Sequence, residues 1–117
     1  NGFVAHSNHF LDARNAESEK RGVYEPDSQN RYALVAARTE SYPAPEVADD
    51  LLAYLTSGPG EPALCCTADP AAAFGNRWAT LATVLLEPAY RRARIFDGSP
   101  ADAGSPRELV ARLSVPA

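Results

Sequence analysis

WATLATVLLEPAYRRARIF, residues 78–96, is the stretch from which the fold class is read. Thr80, Thr83, Val84 and Ile95 favour extended backbone, because two heavy atoms on Cβ restrict χ1. Two strands are expected, over 78–87 and 91–96, with Pro88-Ala89-Tyr90 as the turn between them. Leu81, Ala82, Val84, Leu85 and Leu86 crowd apolar side chains at near-consecutive positions, as in a strand buried on both faces.

Upstream, Pro62-Ala63-Leu64-Cys65-Cys66-Thr67 reads as a short buried strand. Before it, Val47, Leu51, Tyr54 and Leu55 recur at helical spacing. Pro45 suits the first helical position, the carboxylates Glu46, Asp49 and Asp50 favour the positive end of the helix dipole, and Gly58-Pro59-Gly60 stops the element. A second helix begins at Asp27 or Ser28, turns Tyr32, Val35 and Ala36 to one face, and ends near Ser41 ahead of Pro43. Residues 2–6 are expected as a short strand and 11–27 as a long loop. Downstream, Ser105-Pro106-Arg107-Glu108 has capping-box spacing, so Leu109, Val110 and Leu113 are expected in a short C-terminal helix. The fold class that follows is α+β, a mostly antiparallel sheet with helices on one face.

The 117 residues suffice for one modest core, with 45% apolar and 22% charged residues and a net charge of −4. That acidity argues against non-specific nucleic-acid binding, and no apolar run approaches a membrane span. No signal peptide is visible, and a cytoplasmic location is expected. Because the sequence begins with Asn1, its start is expected to come from cleavage or truncation. Cys65 and Cys66 are neighbours and are expected as two reduced thiols, since the ring that would join them is strained.

The densest chemistry lies in HSNHF, residues 6–10. On an extended segment His6 and His9 leave opposite faces, and no acid or thiol cluster completes a zinc set. No metal and no cofactor are expected. The two histidines are read as a structural hydrogen-bonded pair, or as groups that orient Asn8 or touch substrate. By itself Asn8 reads as a turn-forming amide.

Four segments in order carry a resemblance: VAHSNHF (4–10), PDSQNR (26–31), LCCTAD (64–69) and ATLATVLLEPAYRRARIFDGSP (79–100). Together they resemble the C-terminal part of the acyl-coenzyme A:isopenicillin N acyltransferase family, the cysteine N-terminal-nucleophile hydrolases. The resemblance covers residues 1–100, while 101–117 form a tail. It implies a four-layer αββα sandwich, autoproteolytic processing, and a cysteine nucleophile on another segment that attacks a small linear acyl amide or acyl donor. It also places Asn8 in the oxyanion hole; beside it, His6, His9, Cys66 and Arg77 are taken as candidate substrate contacts.

Two departures accompany it. No Gly-Cys nucleophile segment precedes Asn8, and Cys66-Thr67 imitates one only within an expected strand. Cys66 also stands where the family has an arginine, and a thiol cannot make the forked contacts of a guanidinium; Arg77 is the candidate substitute.

The blander roles are capping for Ser28, helix surface for Arg31, small core hydrophobe for Cys65, core or interface for Phe74 and Trp78, and a solvated strand edge for Arg91, Arg92 and Arg94. The functional expectation is the C-terminal portion of an amide hydrolase or acyltransferase, inactive alone. The alternatives are a non-catalytic pseudoenzyme or binding domain of the same fold, and an unrelated small α+β binding domain.

Overall fold

A computed structural model of the chain describes residues 4–19 and 27–100, together with the backbone of 109–112. Parts of three expectations lie outside the described residues: the start of the strand over 2–6, the loop at 20–26 and the capping box at 105–108. The chain divides into two units, one of Asn1–Ala44 with Gly58–Leu64, the other of Pro45–Ser57 with Cys65–Ala117.

In the first unit residues 4–6 form no strand. Among the described residues the expected loop holds a short helix, α1 (Ala13–Ala16), whose first turn is closed by Asp12: its carboxylate accepts from Arg14 N at 2.8 Å. Helix α2 (Ser28–Ser41) runs where the sequence places it. It ends because Tyr42, at φ −83° and ψ 151°, is extended ahead of Pro43. The side chains buried on α2 are Ser28 and Arg38, both polar, while Tyr32, Val35 and Ala36 are half-buried. Arg38 is held by Glu61 at 2.5 Å, and the same carboxylate accepts from Gly58 N at 2.7 Å. Burying that guanidinium is tolerable because it is paired.

In the second unit the expected 45–57 helix is shorter and begins later. A 3₁₀ turn, Ala48–Leu51, continues into α3, Leu52–Leu55. The reason is Asp50, whose carboxylate accepts from both Glu46 N and Val47 N, at 2.9 and 3.1 Å, and so caps the turn after Pro45. Val47 consequently faces outward and is 60% exposed, contrary to its expected place in the buried stripe. Tyr54 does enter the core.

The hairpin forms, with β1 at Ala82–Glu87, β2 at Arg92–Asp97 and a 3₁₀ turn at Pro88–Tyr90, but residues 78–81 of the expected 78–87 strand lie outside the ladder. Arg91 completes the reversal in the left-handed region, at φ 51°. The register pairs Thr83 with Phe96, Leu85 with Arg94 and Glu87 with Arg92. Burial alternates along β1, with Thr83 and Leu85 inside and Val84 and Leu86 outside. The expectation of a strand buried on both faces is therefore corrected: within this chain one face is covered.

Leu109–Arg112 is a strand, β3, antiparallel to β2, and the sheet order is β1-β2-β3. The expected helix there is overturned, because ladder partners on β2 outweigh a local helical signal. Thus β2 is the middle strand, which corrects the reading of its arginines as a solvated edge. Arg94 is buried and pairs with Asp49, while Arg92 meets Glu87 with two contacts of 2.6 Å. The segment 62–67 is not a strand either; its Cys66 meets the entry to β1, where Thr80 N donates to Cys66 O at 2.8 Å. Phe74 and Trp78 are exposed, so of their expected core or interface place the core is ruled out. The fold is α+β with an antiparallel sheet.

Candidate functional site

The expected strand end around Asn8 is a bend, and side chains hold it. Ser28, the first residue of α2, is 1% exposed. Its Oγ accepts the backbone N–H of Asn8 at 3.1 Å and lies 2.9 Å from His9 Nδ1. Ser7 Oγ lies 2.9 Å from the same nitrogen. The His9 ring is buried and meets Tyr32 edge-on, with centroids 5.7 Å apart. Farther along, Phe10 N donates to Glu19 at 2.9 Å.

The outcome is a short irregular segment with alternating fates. His9 is packed inward, whereas Asn8 is exposed on the bend that Ser28 anchors. A backbone amide buried in part without a partner costs free energy, so Ser28 fixes the Asn8 backbone by satisfying it. That bond fixes the backbone from which the exposed Asn8 side chain projects.

Along α2, next to this cluster, a groove of about 470 Å³ is lined by Ala5, Tyr32, Ala36, Ala37, Thr39 and Glu40. Tyr32 belongs to both features, since it lines the groove and touches His9. The small alanine side chains leave the room; the ring and Thr39 form its sides.

Of the sequence-expected residues, Asn8 and His9 come together, bound through Ser28. His6 is exposed. Cys66 and Arg77 belong to the second unit. There the half-buried Cys66 donates its N–H to Thr80 Oγ1 at 2.9 Å, and Arg77 Nε donates to Ala72 O at 2.9 Å, closing its own loop. Neither contact points to a substrate role. Among the described residues no group of three or more His, Cys, Asp and Glu side chains is placed to hold a metal ion. No helix among them is long and apolar enough to cross a membrane.

Sequence reasoning missed Ser28 and Tyr32 as members of this cluster. Ser28 was legible only as a helix-capping hydroxyl; its bonds to residues 19 and 20 positions earlier follow from tertiary placement. The one available signal was the pair of segments HSNHF and PDSQNR, which the fold joins through Ser28. Comparison of the chain with protein-family models, curated proteins and solved structures finds no match.

Proposed function

We propose that this chain is the C-terminal portion of a cysteine N-terminal-nucleophile amide hydrolase or acyltransferase, in an αββα sandwich. Asn8 is its oxyanion donor, and the nucleophile is supplied by another segment of the same protein. The substrate class is a small linear acyl amide or acyl donor. The observation that carries the reading is the hydrogen bond from Asn8 N to the buried Ser28 Oγ. It joins the two segments whose resemblance to the family is independent in sequence, and it fixes the residue that needs a rigid support.

The role of each group follows from charge. Attack on the acyl carbon moves negative charge onto the former carbonyl oxygen, and a carboxamide N–H aimed there lowers the barrier. The groove beside Tyr32 supplies a wall for the acyl group. His9, packed against Tyr32, shapes that wall from within.

A second reading, a non-catalytic domain of the same fold, is favoured by Cys66 standing where the family carries an arginine. One experiment separates the two. The intact protein, including whatever segment bears an N-terminal cysteine, is assayed for amine release from simple acyl amides, with Asn8→Ala as the comparison. Turnover that falls about 10²–10³-fold in the variant supports the enzyme. Absence of turnover by the intact wild-type protein across acyl amides and acyl thioesters favours the non-catalytic domain.

A further inference from the structure

We infer that Ser28 is a positioning residue for Asn8, and that it acts by holding His9 in one neutral tautomer, with the proton on Nε2 and Nδ1 as acceptor. This rests on the oxyanion role given to Asn8 above.

The inference comes from proton bookkeeping at one hydroxyl. Ser28 Oγ has a single proton and two lone pairs. One lone pair takes the Asn8 N–H. Ser28 is buried, at 1% exposure, so water does not receive its proton, and His9 Nδ1 at 2.9 Å is its acceptor among the described residues. If Nδ1 carried a proton instead, that proton would go to Ser28 Oγ or Ser7 Oγ, and in either case the Ser28 hydroxyl proton would be buried with no acceptor among the described residues, a cost that folded interiors avoid. Ser7 Oγ, also 2.9 Å from Nδ1 but half-buried, can turn its own proton elsewhere, so it does not reverse the choice.

The chain of three groups, Asn8 N–H to Ser28 Oγ–H to His9 Nδ1, is then directional. Each group has one role, and the His9 ring is fixed by Ser28 on one side and by the Tyr32 ring on another. Since His9 directly follows Asn8, holding both the Asn8 amide and the His9 ring fixes the backbone on either side of the Asn8 side chain. Displacement of a reacting group by about 1 Å can cost about 100-fold in rate, which is the scale on which losing the latch acts.

The test has two arms. In the first, long-range ¹H–¹⁵N correlation spectra of histidine side chains are recorded on the intact protein, wild type, Ser28→Ala and Ser28→Thr. The wild type and Ser28→Thr are expected to show His9 with Nε2 protonated, and Ser28→Ala a mixture of tautomers. A His9 protonated on Nδ1 in the wild type, or an unchanged spectrum in Ser28→Ala, overturns the inference. The second arm measures turnover of the same three proteins beside Asn8→Ala. Ser28→Ala should lose about 100-fold in kcat with KM unchanged, and Ser28→Thr should recover it. If Asn8→Ala loses turnover while Ser28→Ala does not, the positioning role fails and the oxyanion role stands. If Asn8→Ala retains full turnover, the oxyanion role itself fails.

Discussion

The bend at residues 6–10 and the hairpin at 82–97 are fixed by opposite means. In the hairpin the backbone does the work: consecutive residues of β1 pair in register with β2, and side chains only add to a ladder that closes by itself. At the bend no ladder exists, and one buried hydroxyl from a helix 20 residues downstream takes the Asn8 amide. The hairpin is consequently robust to a single outward-facing change, whereas the bend depends on a few side chains, with Ser28 the buried one that takes the Asn8 amide. A segment that must present a particular side chain gains from this arrangement, because its backbone conformation is not confined to the strand geometry.

The largest effect that would sharpen this contrast is expected at Leu85, inside the hairpin's covered face. Leu85→Ala should cost about 2–5 kcal/mol in denaturant unfolding, through lost transfer energy and a residual cavity. At the bend, Ser28→Ala leaves the Asn8 amide and the His9 ring nitrogen without their buried partner, at about 1–3 kcal/mol. If Ser28→Ala unfolds with the wild-type midpoint, the bend is not held as described.

Acid gives a smaller, reversible perturbation of the hairpin. The hydrogen bonds from the Arg92 guanidinium, with its positive charge, hold the Glu87 carboxyl below its ordinary value of 4.5, and desolvation opposes them only in part. A native value below the unfolded one means that the pair's contribution is complete above pH 4.5 and is lost as pH falls through the lower native value. Unfolding midpoints followed from pH 6 to pH 2 should therefore decline less in Glu87→Gln than in the wild type. Parallel declines would show that this pair contributes nothing measurable. The smallest effect is expected at Val84, on the outward face at 53% exposure. Val84→Thr should shift stability by less than about 0.5 kcal/mol, as surface changes away from special features do. A larger loss would mean that something covers that face.

What was legible in the sequence follows the same division. The hairpin could be read because β-branched residues flank Pro88, and α2 because its start and its stop before Pro43 are local signals. Features that depend on distant partners could not. Leu109–Arg112 carries a helix-start signal just upstream, yet pairs with β2. The arginines of β2 read as edge blockers until β3 makes that strand central and Glu87 and Asp49 neutralise them. Val47 fits the helical stripe, but Asp50 caps the turn beyond it. For the candidate site, Asn8 and His9 were visible as residue types, while the hydroxyl that binds them was hidden in what read as an ordinary helix start.

The most direct measurement is amide hydrogen exchange at single-residue resolution, comparing Asn8 with Leu85. The Leu85 amide sits within a strand, where protection is expected of any sheet. Asn8 lies outside every helix and strand, so protection there has one stated source, the Ser28 hydroxyl. The Asn8 amide is expected to be protected in the wild type and to exchange at the unfolded-chain rate in Ser28→Ala, while Leu85 stays protected in both. An Asn8 amide that exchanges freely in the wild type would contradict it.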